Sequence, residues 1–300
     1  MLHATWLETF TTLAEEGHFT RAAAKLNMTQ PGVSQHLRKL ENQVGRPLIA
    51  QDGKRFALTE AGEAVRDLGL RRRREEYNLL DQLSEDRPDK GCVRIACSGS
   101  FATLILPRLI EVMKDAPQLV IHVEAAPRGS VQQGVLDGSY DIGILQDDPG
   151  HPRLVAQHIA REELCLILPT GLRNQSVDFA MLQELGQVAH PDGAAYADDL
   201  MGANFPEEYT GADRLRQRFF VNQINQIPAP VAAGAGYAIL PRSGIAAFVD
   251  RDKLWSPQLP QRRFHDLWCI ARKTRPQTAR FARVEAILMQ AASELEQMAC

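Results

Sequence analysis

The chain has 300 residues, 44% hydrophobic and 24% charged, with 34 Lys and Arg against 37 Asp and Glu. It is too long for one ordinary core and has room for two or three domains, and it lacks the run of about eighteen apolar residues that a membrane-spanning helix needs. Five scattered cysteines (Cys92, Cys97, Cys165, Cys269, Cys300) and a polar, acidic opening with Thr5 and Glu8 point away from a disulfide framework and a secretory signal, towards a reducing cytoplasm.

The first elements are short helices. Leu7, Phe10 and Leu13 form one apolar stripe, Ala22, Ala23 and Leu26 a second, and Val33, Leu37, Leu40 and Val44 a third. Gly17 ends the first helix, and Thr20 is the expected cap of the next, with Phe19 as the hydrophobic staple. Asn27 and Met28 form a very short link, after which Thr29 caps a helix with Pro31 in its first turn. This spacing predicts a helix-turn-helix. After Gly45 the period becomes two: Leu48 to Gln51 and Lys54 to Leu58 flank Asp52-Gly53, a dipeptide suited to a type I′ turn, and so predict a wing. Thr59 caps a long helical segment to about Asp86, whose Leu79, Leu80 and Leu83 need a partner chain to be buried. The run Arg71 to Arg74 reads as a solvated helix face, with contact to a DNA backbone as the lesser reading. Arg87-Pro88-Asp89-Lys90-Gly91 marks a boundary.

Beyond it, strand and helix patterns alternate. Val93 to Cys97, Leu119 to Glu124 and Tyr140 to Leu145 read as buried strands, with helices at Thr103 to Met113 and Ser130 to Leu136 between them. Such alternation predicts a parallel sheet with covered faces. The pattern recurs loosely from Glu163 to Pro241, followed by a strand at Phe264 to Ala271 and a closing helix from Pro276 to Met298, which leaves room for two α/β lobes.

The third helix carries the chemistry of the first part. Gln30, Ser34, Gln35 and Arg38 share the side opposite its apolar stripe, and no carboxylate joins them before Glu41. Gln and Arg make bidentate contacts with adenine and guanine edges, Ser34 reaches a base or a phosphate, and Thr29 at the helix start suits a phosphate. Lys54 and Arg55 at the wing tip neutralise phosphates or enter a minor groove.

These residues carry a family resemblance. Phe19-Thr20-Arg21-Ala22-Ala23-Ala24-Lys25-Leu26-Asn27-Met28-Thr29-Gln30-Pro31-Gly32-Val33-Ser34, then Leu37 to Glu41, Pro47-Leu48 and Leu58-Thr59-Glu60-Ala61-Gly62, resemble the signature of the LysR-type transcriptional regulators. The resemblance implies a multidomain α and α/β protein: an N-terminal winged helix-turn-helix at 1–60, a linker and dimerisation helix with its hinge at 61–90, and a C-terminal two-lobed α/β domain like a periplasmic binding protein at 91–300. Lobe I would span about 91–160 and 268–300, and lobe II about 161–267. It also implies a double-stranded DNA operator, a small-molecule effector, a homodimer or homotetramer, RNA polymerase as a partner of an activator, no membrane and no cofactor. Carried over, the DNA-reading residues are Gln30, Pro31, Ser34, Gln35 and Arg38. Ile49-Ala50-Gln51 replaces the family's usual Phe-x-Arg, and Gln35 its usual Arg; both changes remove positive charge.

In the body, Leu136 to Ile144 and Val231 to Pro241 resemble further family stretches. Ligands of open α/β lobes bind beyond the C-terminal ends of strands. Ser98-Gly99-Ser100 follows the first strand, where small hydroxyls and free helix N–H groups suit a carboxylate, although the same residues also make a plain capped turn. Phe101, Arg128, His190, Asp192, Asn222 and Gln223 complete the candidate effector site, and each has a loop-surface reading beside the functional one. The alternative is a small-molecule-binding enzyme of cysteine-hydrolase type, with Cys97 at a strand end beside a helix N-terminus. No G-x-S-x-G elbow, P-loop or H-E-x-x-H supports an enzyme, and the eight histidines show no metal spacing. By region, the net charge of −3 resolves into seven Lys and Arg against six Asp and Glu over residues 1–60, and six against seven over 61–87, so the whole deficit lies beyond residue 87.

Overall fold

Residues 1–52, 55–83 and 85–298 are described by the computed structural model, which divides into two units, Met1–Ser84 and Glu85–Cys300. In the first, α1 (Ala4–Glu16), α2 (Phe19–Lys25) and α3 (Gln30–Val44) close around Leu7, Phe10, Leu13, Ala22, Val33, Leu37 and Leu40, the stripes visible in the periodicity. The cap of α2 differs from expectation. His18 holds it, its Nδ1 accepting from the Thr20 backbone N–H at 3.2 Å, while Phe19 opens the helix and meets Phe56 of the wing edge-on, 5.6 Å between ring centroids. Asn27 takes a left-handed φ of 53°, which its short polar side chain tolerates, and turns the chain into α3. There Thr29 Oγ1 accepts from the Gly32 N–H.

The wing is β1 (Ile49–Asp52) and β2 (Arg55–Leu58), paired antiparallel. Asp52 pairs with Arg55; Gly53 of the expected Asp52-Gly53 turn, and Lys54, lie outside the described residues. Helix α4 (Glu60–Gln82) starts at a three-way lock. Thr59 Oγ1 accepts from the Gly62 N–H at 3.0 Å and donates to the Pro47 carbonyl at 2.8 Å, while the Thr59 N–H donates to the Leu48 carbonyl. Ala61, Val65 and Leu68 join the core. Further on, Leu79, Leu80 and Leu83 are 55, 63 and 77% exposed.

Arg73 corrects the reading of the arginine run. Its guanidinium meets Glu8 at 2.7 Å and Glu15 at 3.0 Å, both on α1, and donates to Thr12. It is a clamp between α4 and α1 rather than part of a free basic face.

The second unit starts with β3 (Lys90–Cys97), α5 (Gly99–Lys114), β4 (Gln118–Ala125), α6 (Arg128–Asp137) and β5 (Ile142–Leu145). Strand β3 pairs in parallel with both β4 and β5. The chain then crosses on β6 (Leu154–Pro169) and builds α7 (Phe179–Leu185), β7 (Gln187–Ala189), α8 (Gly193–Asn204), β8 (Gln217–Phe220), α9 (Pro228–Ala232), β9 (Ala238–Pro241), α10 (Arg242–Ala246) and β10 (Leu254–Trp255). It returns on β11 (Arg263–Arg272) to the closing helix α11 (Ala279–Gln297).

The sheet is mixed, which corrects the expectation of a parallel one. Strands β6 and β11 pair antiparallel over ten register positions, with a bulge at Leu267/Trp268, and β11 also pairs antiparallel with β5. The return crossing imposes this, because a chain that leaves one lobe and comes back must bring its two connecting strands together in opposite directions. One lobe packs Val93, Ile95, Phe101, Ile105, Leu109, Ile142, Val284 and Leu288. The other packs Leu164, Leu166, Leu168, Leu200, Met201 and Tyr237.

Candidate functional site

On α3, the exposed side carries Thr29, Gln30, Pro31, Gln35 and Arg38, with Ser34 half-buried, while Val33, Leu37 and Leu40 are buried. The next carboxylate along the helix is engaged elsewhere: Glu41 Oε1 accepts the Leu48 N–H at 2.8 Å where the wing begins. His36 and Lys39 are drawn to α1, His36 by a 2.9 Å bond to Thr9 and Lys39 over the Trp6 ring. Arg55 is placed by its backbone on β2, and Lys54 lies outside the described residues.

In the second unit, the C-terminal ends of β3, β4 and β5 in one lobe and of β7 and β8 in the other face a cavity of about 600 Å³. Ser98, Ser100, Arg128, His190, Asp192, Asn222 and Gln223 all line it, so strand-end reasoning assembled seven of the eight expected residues in one place. Phe101 is the exception. It is fully buried in the lobe core with Leu104 and Ile105, because the turn of α5 that brings Ser100 to the cavity carries position 101 to the sheet side.

The cap of α5 is Ser98 rather than Ser100. Ser98 Oγ accepts from the Phe101 N–H and sits 3.2 Å from Ser100 Oγ, so two hydroxyls and a helix N-terminus share one corner. Arg128 brings no free cation, since Asp147 binds its guanidinium at 2.7 Å. Two polar lining residues escaped the sequence reading, Gln146 and Tyr196. Gln146 follows an apolar strand as Ser98 does, so the same strand-end rule would have found it. Tyr196 sits inside α8, where no local signal separates it from core.

Behind the cavity, Glu162 and Glu163 interrupt the apolar run of β6. Glu162 Oε1 accepts the Ser243 N–H at 2.7 Å, and burial pushes its carboxyl up. Burial acts on Glu163 in the same sense, but Arg262 and Arg242, at 2.6 and 2.8 Å, hold its carboxyl below the usual range. Among the described residues, no group of three His, Cys, Asp or Glu side chains could hold a metal ion.

A family model described as the LysR substrate binding domain matches residues 86–293, and one for the bacterial regulatory helix-turn-helix protein, lysR family, matches residues 4–63. The chain belongs to the LysR family of transcriptional regulators. The chain is 29% identical to the regulator YxjO of Bacillus subtilis over 79% of each chain, and 26% identical to the regulator CysL of the same organism over 79% of this chain and 80% of that one. Its fold matches that of full-length CbnR, solved with its target DNA, with a TM-score of 0.69, 23% identity and coverage of 97 and 100%. The hydrolase alternative would rest on Cys97 as its nucleophile. Cys97 is fully buried, and burial pushes its thiol up to about 12, so little of the nucleophilic thiolate exists at neutral pH. No helix among the described residues is long and apolar enough to cross a membrane.

Proposed function

We propose that this regulator reads an operator through α3 and the wing, and that a small carboxylate in the cavity of the second unit controls that reading. Residues 1–60 would bind the DNA, 61–90 would join two copies, and 91–300 would sense the effector. Gln30, Gln35 and Arg38 are assigned to base edges, and Thr29, Pro31, Ser34, Lys54 and Arg55 to phosphates and groove walls. Pairing of two linker helices would cover Leu79, Leu80 and Leu83 and set the spacing of two half-sites, in a homodimer or homotetramer working on DNA in the cytoplasm. An activator of this form would also engage RNA polymerase.

The observation that carries the reading is the meeting of strand ends from both lobes around one cavity, with Ser98, Ser100 and the N-terminus of α5 arranged for an anion. A ligand held by both lobes shifts their arrangement by no more than its differential affinity for the two states. The test is fluorescence anisotropy of the full chain on promoter fragments, over a salt series, with and without a panel of small carboxylates. Sequence-specific binding should fall by roughly 10³–10⁵ between about 50 and 200 mM salt if six to ten phosphates are contacted, and one carboxylate should change affinity or footprint. Binding indifferent to sequence would refute the operator assignment. A carboxylate response unchanged by Ser100→Ala would refute the cleft assignment.

A further inference from the structure

Strand order places one ion pair across the corner assigned to the effector carboxylate. Neighbours in the sheet run β5-β3-β4, so β3 ends between the other two strands. The Ala126 N–H donates to the Cys97 carbonyl at 3.0 Å where β4 and β3 stop. Helix α5 packs with Val93 and Ile95 on one face of the sheet, while α6 sets Val131 and Val135 against Ala96 and Leu145 on the other. The chain therefore turns to opposite faces from adjacent strand ends, which opens a crevice at the tip of β3.

Arg128 lies beyond the end of β4 and Asp147 beyond the end of β5. Their strands flank β3 at about 5 Å on each side, and their side chains meet across it. The guanidinium donates through Nε and Nη2 to the two carboxylate oxygens of Asp147, the second bond at 2.7 Å. Arg128 lines the cavity, as do Ser98 and Ser100 from the tip of β3. The paired side chains are 51 and 55% exposed. So open a pair is worth little in stability, yet its two parallel bonds are the arrangement by which arginine holds any carboxylate.

We infer that Asp147 is a placeholder for the effector: it fills the Arg128 fork until the effector carboxylate displaces it and binds Arg128 together with Ser98, Ser100 and the N-terminus of α5. This rests on the carboxylate reading of the cleft and adds to it a cation and a competitor. The exchange puts one carboxylate in place of another in the same fork, so it costs little. The gain comes from the two hydroxyls, 3.2 Å apart at the tip of β3, and from the first-turn N–H groups of α5. A carboxylate tethered beside the fork competes at an effective concentration on the order of millimolar, which sets the threshold a ligand has to pass. Asp147 also stands in the segment 146–153 that runs from β5 directly into the crossing strand β6. Its displacement frees the start of the segment that leads from one lobe to the other.

The test uses the full chain, with butyrate and benzoate as probes and butyramide and benzamide as their uncharged matches, titrated by calorimetry and ligand-detected NMR. Asp147→Asn should tighten both carboxylates about threefold or more and leave the amides within about twofold. Arg128→Gln should weaken the carboxylates about tenfold, and in that background Asp147→Asn should gain nothing. The double variant separates displacement from plain repulsion, since a ligand repelled by Asp147 through space would gain in either background. Hydrogen exchange over residues 146–153 should rise when the wild type is saturated with the tighter carboxylate, and should reach the level of Asp147→Asn without ligand. Carboxylate affinities unchanged by Asp147→Asn, the same gain in both backgrounds, or no carboxylate binding to either wild type or Asp147→Asn overturns the inference. Carboxylate binding that Ser100→Ala weakens, but that neither Asp147→Asn nor Arg128→Gln alters, would overturn the placeholder alone and leave the effector cleft standing. Carboxylate binding untouched by Ser100→Ala and Arg128→Gln alike would remove both.

Discussion

Gly62 is where local propensity and tertiary packing disagree in sign. Replacing a helical glycine by alanine ordinarily stabilises by up to about 1 kcal/mol. Here an added Cβ would lie 2.0 Å from the Leu48 carbonyl oxygen, a backbone atom that cannot rotate aside. Restoring ordinary contact needs a shift of roughly 1 Å or more. That shift falls on Thr59, which is bonded to the Leu48 and Pro47 carbonyls and to Gly62 itself. Two weakened hydrogen bonds at about 1 kcal/mol each add to an overpacking cost of about 1–3 kcal/mol. After the helix gain is subtracted, Gly62→Ala should destabilise the first unit by about 2–4 kcal/mol. For a unit of this size that lowers Tm by on the order of 10 °C or more. Calorimetry and urea unfolding of the full chain measure the change, and anisotropy on operator DNA should show weaker binding as the wing is displaced. A Gly62→Ala chain that melts at or above wild type would refute the reasoning.

Arg38→Ala should weaken specific DNA binding by about 1–3 kcal/mol, measured by anisotropy, and relax discrimination at one base position; an unchanged affinity for the cognate operator would remove it from the reading face. Burial raises the Glu162 carboxyl, so its contribution to stability is full below the ordinary value of 4.5 and is lost as pH rises through the folded value. Glu162→Gln keeps the acceptor for the Ser243 N–H, so its stability relative to wild type should grow as pH rises; a pH-independent difference in urea midpoints would contradict this. Glu163 works the other way. Its carboxyl is held low, so its contribution is present above 4.5 and is lost as pH falls through the folded value, and Glu163→Gln should be destabilising at neutral pH and nearly harmless in acid. Leu80→Ser with Leu83→Ser should shift the oligomer towards monomer in sedimentation while the thermal transition of the second unit stays in place.

What the sequence made legible followed from short-range rules. The stripes of α1 and α3, the Thr29 cap and the wing are all encoded within a few residues, and the family motif reinforced them. Strand-end reasoning was nearly as good, because the C-terminal end of a strand is a position that periodicity locates. What escaped reading depends on contacts distant in sequence. Arg73 looks like one of four equivalent arginines until Glu8 and Glu15, some sixty residues away, are brought to it. Phe101 differs from Ser100 by one step along a helix, and only packing against the sheet decides which of the two faces the cavity. The antiparallel pairing of β6 with β11 joins segments about a hundred residues apart, and nothing local distinguishes it from one more parallel strand.

The charge of the DNA-reading part is clearer at the level of pairs than of sums. Residues 1–87 are neutral, yet the four carboxylates of residues 1–48 are all engaged by partners within the unit. Glu8 and Glu15 are held by Arg73, Glu16 by Lys25, and Glu41 by the backbone where the wing begins. Each of these groups is engaged inside the unit, and the exposed side of α3 keeps Arg38 and the two glutamines. A domain with zero net charge can therefore present a locally positive, hydrogen-bonding surface. The salt dependence of binding counts phosphates neutralised rather than net charge, at a slope of about 0.9 per contact. With Arg73 withdrawn into its clamp, the first unit has one fewer cation for the DNA backbone, and Arg73→Gln should leave the salt slope unchanged while lowering stability. A slope that falls by about one per subunit would place Arg73 on a phosphate, and the clamp would then not hold in the DNA complex.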